Sequence, residues 1–218
     1  MNINCFMFGM KNLLADEVRG KRVIEIGACN VNGSLRPLIE QYGPQEYIGV
    51  DIAAGQGVDI VCDVTALISR FGERSFDLVV STELLEHVRD WRLAIHNMKA
   101  VCKPGGVMVI TTRSPGFVYH GYPYDFWRFE LEDMRSIFLD CRIEKLESDV
   151  QPGVLLKCVR PQDLHEQDLS GFLLYSMVTG KRIKELRDED LTAGSFKRLV
   201  FRQRLKEFLH KNIDKIIG

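Results

Sequence analysis

The sequence has no apolar run close to the roughly 20 residues that cross a bilayer, so a membrane-spanning helix is not expected. It has no secretory leader pattern either. Lys11 follows the apolar patch at residues 5–10 instead of preceding it, and Asp16 and Glu17 come soon after. A cytoplasmic location is the expectation. Basic excess is missing too: 29 Lys and Arg stand against 30 Asp and Glu, for a net charge of -1. That balance argues against a nucleic-acid or membrane-surface partner. The six cysteines, Cys5, Cys29, Cys62, Cys102, Cys141 and Cys158, form no Cys-x-x-Cys pair. Neither a disulfide framework nor a metal-ligand set is expected from them. There is no internal repeat and no low-complexity stretch.

What is present suits a soluble globular chain: 218 residues, 45% hydrophobic and 27% charged. Strand-like and helix-like patterns alternate from about residue 20 to 140. Residues 11–18 read as a helix closed by Gly20. The short apolar runs at 22–26, 46–50, 58–61, 76–80 and 107–112 read as buried strands. Residues 34–41, 66–71, 91–101 and 131–138 read as helices, and Lys103-Pro104-Gly105-Gly106 as a stop and turn. Runs at 142–146 and 154–159, joined through Gln151-Pro152-Gly153, read as an antiparallel pair. This order predicts an α/β fold: a mostly parallel, Rossmann-like sheet with helices on both faces and an antiparallel last strand. Residues 1–160 form the domain. Residues 161–218 form a helical C-terminal appendage, with apolar residues at helical spacing over 197–217.

Ligands bind such sheets at the carboxyl edge of the strands, and four signals fall there. In the first, strand residues Val23-Ile24-Glu25-Ile26 run into Gly27, then a polar loop through Ala28, Cys29 and Asn32-Gly33 to Ser34. Gly27 allows close approach of a ligand, and Ser34 can cap the next helix. The second is Asp51, 24 residues after Gly27. A carboxylate there can accept from a ribose diol, or can be a cap or a solvated turn residue. The third is Asp63, which can accept from an adenine amino group or cap the helix near Val64. The fourth is the polar segment Ser81-Thr82-Glu83 leading to Leu85-Glu86-His87-Val88. There His87 suits proton transfer, or is a structural histidine.

In order, these residues resemble the class I S-adenosylmethionine-dependent methyltransferases over roughly residues 20–160. Glu25-x-Gly27 looks like their first motif, Asp51 their ribose acid and Asp63 their adenine-side acid. Phe76-Asp77-Leu78-Val79 with Leu85-Glu86-His87-Val88 looks like their fourth-strand motif. The Lys103–Gly106 turn matches the one before their fifth strand. The resemblance implies S-adenosyl-L-methionine as cofactor and S-adenosyl-L-homocysteine as product. It assigns cofactor contacts to Glu25, Gly27, Ala28, Cys29, Gly33, Asp51, Ile52, Asp63, Val64, Ser81, Thr82 and Glu83. Cys29 and Val31 stand where that family often has glycines, so this loop is expected to follow its own path.

A fifth signal, the aromatic-rich segment at 119–129, follows the fifth strand. Similar Gly-Tyr-Pro-x-Asp-x-Trp-Arg segments occur in a methyltransferase subgroup associated with glycan and small-molecule tailoring. It reads either as an acceptor site or as an apolar plug for the C-terminal region. On the first reading Tyr122, Tyr124, Trp127 and Arg128 hold a small-molecule or glycan acceptor for O- or N-methylation. His120, His87 and Asp125 are then the base candidates, in that order. Two alternatives remain: an NAD(P)-dependent Rossmann oxidoreductase, disfavoured by the missing Gly-x-Gly-x-x-Gly, and a non-catalytic cofactor-binding subunit. The 161–218 region is expected to dock on its own domain; a homodimer through it and a membrane surface are the other options.

Overall fold

A computed structural model describes the backbone of residues 1–121 and 124–217, and the side chains of the same residues as far as 205. Seven strands form the main sheet: β1 (Arg22–Ile26), β2 (Glu46–Asp51), β3 (Ile60–Val61), β4 (Phe76–Thr82), β5 (Cys102–Arg113), and, after the short β6 (Trp127–Arg128), β7 (Arg142–Asp149) and β8 (Gly153–Val159). Their order is β3-β2-β1-β4-β5-β8-β7. β3, β2, β1, β4 and β5 are mutually parallel; β8 runs antiparallel to both β5 and β7. The expected sheet, with its reversed last strand, is the observed one.

Alternation along the central strands sends neighbouring side chains to opposite faces. Val23, Leu78, Val80, Val107 and Val109 join one core with Cys5, Phe8 and Ile39. Those last three come from α1 (Ile3–Asn12) and α2 (Arg36–Gln41). Ile24, Val79, Met108 and Ile110 join the other core with Ile95, Met98, Met134 and Ile137. These lie on α4 (Trp91–Val101) and α5 (Leu131–Ile137), while the short α3 (Leu67–Phe71) flanks them. Each fully buried Leu, Ile, Val or Met contributes about 1.5–3 kcal/mol, so the two-faced pattern fixes strand register.

Three expectations change. The N-terminal helix is Ile3–Asn12, not 11–18. The Asn2 side chain caps it, accepting from the Asn4 and Cys5 N–H groups at 2.7 and 3.1 Å. Residues 103–106 do not interrupt the fifth strand. They are absorbed into β5 as an irregularity opposite Phe76 and Leu78, with Gly105 at φ +74°. The C-terminal region is not wholly helical. β9 (Leu174–Ser176) pairs with β10 (Lys181–Ile183) and with β6, making a second, three-stranded sheet. Among the described residues there, only α6 (Asp188–Thr192) and α7 (Gly194–Ile217) are helices. Leu174, Val178, Leu186 and Phe196 are buried in the larger core, so the region docks on the domain. Among the described residues no helix is long and apolar enough to cross a membrane.

Candidate active site

β1 ends at Ile26, and Gly27 follows with φ +81°, a conformation that only glycine adopts cheaply. The Gly27 and Ala28 N–H groups both donate to the Val50 carbonyl, at 2.9 and 3.0 Å. This pins the loop to the end of β2. A Cβ on Gly27 would sit 3.1 Å from Leu84 Cβ. The first loop thus lies directly against the turn that follows β4. Gly33, at φ +113°, donates to Asn30 Oδ1 at 2.8 Å and turns the chain toward α2.

Glu25 is 2% exposed. Its carboxylate accepts from Ser34 Oγ at 3.1 Å and from the Tyr47 hydroxyl. Burial pushes its pKa up, against the pull of those two hydrogen bonds. It braces the loop from beneath instead of facing a ligand, which revises its expected place among the direct contacts. Asp51 is half-buried at the end of β2. Its Oδ2 accepts from the Cys29 N–H at 3.2 Å, and Oδ1 from the Ala53 N–H at 3.4 Å. Each carboxylate oxygen has two acceptor positions, so capacity remains for a diol. Ile52, 63% exposed, and Val31, 77% exposed, offer apolar surface beside it. Asp63 is exposed and caps the turn Val64–Ala66, with Oδ1 accepting from Thr65 N–H and Oγ1, both at 2.8 Å. Val64 is buried and its side chain belongs to the core. A positive-φ glycine, an open half-buried carboxylate and a neighbouring exposed isoleucine fit the ribose and adenine of a nucleoside cofactor.

At the end of β4, Ser81 and Thr82 are buried, so their side chains do not line an open surface. Glu83 has φ +54°, a strained conformation for a non-glycine residue that favours functional turns. Its carboxylate pairs with Arg113 and accepts from Asn2 Nδ2 at 3.1 Å. The next turn, Leu85–His87, brings Glu86 and His87 together. Glu86 is fully buried, and its Oε2 accepts from Thr112 Oγ1 at 2.9 Å.

The 119–129 segment folds back on this turn. The Phe126 N–H donates to the Glu86 carbonyl at 2.7 Å, and His87 Nδ1 lies 2.7 Å from the Tyr124 carbonyl. The His87 and His120 rings meet edge to face, 4.7 Å apart. His120 Nε2 lies 3.8 Å from Glu86 Oε1. Its Nδ1 is 2.9 Å from Asp125 Oδ2, too oblique for a hydrogen bond, while its backbone N–H donates to that oxygen at 3.0 Å. Asp125 and Arg128 are fully buried as an ion pair, with Arg128 Nη2 donating to Asp125 Oδ2 at 2.7 Å. Burial works to raise the Asp125 pKa, but Arg128 and His120 outweigh it and hold the carboxyl well below the usual range. So stable a carboxylate is a weak base. Asp125 orients His120; the base role expected for it does not suit it.

Two proposed acceptor contacts are corrected. Arg128 spends its guanidinium on Asp125 and on the Phe117, Val118 and Trp127 carbonyls. Trp127 is 1% exposed, and its Nε1–H lies 3.1 Å from both the Val88 and Arg89 carbonyls. Both pack the segment against the C-terminal region, as the plug reading had it for Trp127 and its aromatic neighbours Phe126 and Phe129. Tyr124 is 43% exposed and stacks on Phe126. Tyr122 lies outside the described residues. Glu86 enters the sequence reading only within the Leu85–Val88 motif and without a role of its own, because nothing in the sequence shows that folding sets it beside His120.

Residues 5–147 match the family described as "Methyltransferase domain", and the chain belongs to that family. Its class is that of the S-adenosylmethionine-dependent methyltransferases, with S-adenosylmethionine as the cofactor. It is 33% identical over 109 residues to "Probable tocopherol O-methyltransferase, chloroplastic" of Oryza sativa subsp. japonica, covering 44% of this chain and 30% of that protein. It is 28% identical over 123 residues to "Ubiquinone biosynthesis O-methyltransferase" of Idiomarina loihiensis, covering 50% of this chain and 49% of that protein. The chain thus spans less than half the length of either relative. The fold resembles that of a Burkholderia thailandensis 1,6-didemethyltoxoflavin-N1-methyltransferase solved with 1,6-didemethyltoxoflavin and S-adenosylhomocysteine. The TM-score is 0.59 at 14% identity, covering 72% of this chain and 78% of that one.

Proposed function

We propose that this protein methylates an oxygen or nitrogen of a small-molecule or glycan acceptor, with oxygen favoured. The observation that carries the reading is the contact of Gly27 with Leu84, which sets the loop beside Asp51 against the turn that holds Glu86 and His87. Cofactor and acceptor groups therefore share one edge of the sheet. When bound, S-adenosylmethionine supplies a methyl group already activated on a cationic sulfonium. Asp51 takes the ribose hydroxyls, Ile52 flanks the adenine, and Asp63 stands at its far side. The backbone at 27–29 lines the remaining wall, with Cys29 giving shape and no nucleophile. Holding acceptor and methyl donor in line is worth about 7–11 kcal/mol. His120, oriented by Asp125, is the first base candidate and His87 the second, since imidazole transfers protons efficiently near neutral pH. Tyr124 offers the exposed aromatic face for an acceptor ring.

The names of the two curated relatives, both O-methyltransferases, support oxygen. Thermal-shift titration tests the cofactor, because only a ligand of the folded state raises the melting temperature. S-adenosylhomocysteine is expected to raise it and NAD to leave it unchanged; the opposite result restores the oxidoreductase reading. Transfer of labelled methyl in a screen of phenols, amines and glycans tests turnover, and none at all favours a non-catalytic subunit. Phe201 and Leu205, exposed on α7, support a homodimer. Sedimentation of a Phe201→Glu variant as a monomer, against a dimeric parent, would bear that out.

A further inference from the structure

We propose that Glu86, His87 and His120 form a site for one divalent transition ion, zinc or iron(II) in type, at the acceptor side of the cofactor pocket. One ligand atom from each, a carboxylate oxygen and two ring nitrogens, lies within 4.8 Å of the others. Two imidazoles with one carboxylate make a borderline donor set that suits zinc and iron over magnesium or calcium. Glu86 is fully buried, yet its Oε1 has no hydrogen-bond partner and points toward His120 Nε2, 3.8 Å away. A buried orphan oxygen costs about 1–3 kcal/mol or more when charged, and an ion between it and the two rings removes that cost.

The surroundings match what metal-binding imidazoles need. A ligating histidine is held by a partner on its other ring nitrogen. His87 Nδ1 lies 2.7 Å from the Tyr124 carbonyl, which fixes the tautomer with the Nε2 lone pair free for an ion. His120 is held through its backbone N–H, which donates to Asp125 Oδ2 at 3.0 Å, while that carboxylate lies 2.9 Å from Nδ1 as an ionic neighbour without a hydrogen bond; the second oxygen of Glu86 is held by Thr112. Zinc bonds to nitrogen and oxygen are about 2.0–2.2 Å, so closing a 3.8 Å separation onto one ion needs little or no movement of that pair. Three protein ligands leave a position open, as catalytic sites do. With the ion bound, His87 and His120 act as its ligands and no longer as bases, and an acceptor hydroxyl bound there would lose its proton to bulk water more readily. This acceptor role rests on the methyltransferase reading; the ion site does not.

The test is zinc binding by calorimetry to the full chain after chelator treatment. One zinc ion per chain is expected, and His120→Ala and Glu86→Gln should each weaken it at least about 100-fold. His96→Ala, which removes the exposed pair with Glu166, should leave affinity unchanged. Cobalt(II) loading gives a second readout, since loss of His120 should alter the visible spectrum. Stoichiometric zinc absent from the parent protein, or bound equally by both site variants, overturns the proposal. S-adenosylhomocysteine binding is measured on the same samples and confirms that each variant is folded. S-adenosylhomocysteine binding without zinc defeats the ion site alone. Zinc without S-adenosylhomocysteine binding defeats the cofactor reading and leaves the ion site standing.

Discussion

Replacing Asp125 by Asn removes the only carboxylate that faces Arg128 at hydrogen-bond distance among the described residues. Both side chains are fully buried. Breaking a buried ion pair from one side costs about 3–5 kcal/mol, because the remaining charge stays out of water. At about 2–4 °C per kcal/mol for a chain of this size, the melting temperature should fall by about 6–20 °C. The Arg128 carbonyl partners at Phe117, Val118 and Trp127 moderate this, since the guanidinium keeps those acceptors. A double variant, Asp125→Leu with Arg128→Met, removes both charges yet strips the same three carbonyls of their donor. Of the three, Trp127 is buried while Val118 is exposed; an orphaned buried carbonyl costs about 1–3 kcal/mol, so the double variant should stay destabilised by at least about 1 kcal/mol. Urea unfolding of parent, single and double variants measures both terms. A single variant within about 1 kcal/mol of the parent, the scale of an ordinary surface change, would refute the view that this pair holds the segment in place.

Asp51→Ala should weaken S-adenosylhomocysteine by about 1.5–3 kcal/mol for each charged hydrogen bond lost, or at least about tenfold by calorimetry. Unchanged affinity would remove Asp51 from the site. Gly27→Ala combines φ +81° with a Cβ 3.1 Å from Leu84, and should lose more cofactor affinity than Gly33→Ala, whose added Cβ meets nothing closer than 3.8 Å. Equal losses in the two would contradict the close approach. The two perturbed carboxylates give opposite pH signatures. Asp125, held below its ordinary 3.8, contributes stability that is present above that value and lost as pH falls through its lowered one. Glu25, raised above 4.5, favours the fold while protonated and loses that contribution as pH rises through its raised value. Melting curves of Glu25→Gln against the parent should therefore show the variant gaining relative stability from pH 4 to 8. A parallel pair of curves would count against the raised value.

The sheet, and the places of Gly27 and Asp51 at its carboxyl edge, were legible because they depend on local, one-dimensional signals. Short, near-continuous apolar runs mark strands buried on both faces, Gly27 directly follows one strand end and Asp51 closes the next. The N-terminal helix was misplaced because its decisive residue, Asn2, acts as a cap one residue before an apolar run that looks like loop. The second sheet was missed because β6, β9 and β10 are two or three residues each, too short for a period to register. The acceptor side was the least legible part for a related reason. Its groups come from residues 86–87 and from 120–125, and only tertiary hydrogen bonds such as Phe126 N–H to the Glu86 carbonyl join them.

The same join explains why so aromatic a loop is largely buried. Trp127 and Phe129 fill the core, and the Met177 N–H donates to the Phe126 carbonyl at 2.8 Å. The segment is thus anchored on one side by the C-terminal sheet and on the other by Glu86. Its anchoring is what fixes His120, which carries no strand or helix of its own. A loop that positions a reacting group must be rigid to within a fraction of an ångström, and rigid elements do this better than free loops. Here the rigidity comes from the buried Asp125 and Arg128 pair and from the C-terminal region behind it. Truncation after residue 160 should therefore harm the acceptor side first, while Gly27 and Asp51, held by β1 and β2, keep their places. If a truncated chain that still binds S-adenosylhomocysteine also kept full methyl transfer, the C-terminal region would have no part in positioning His120.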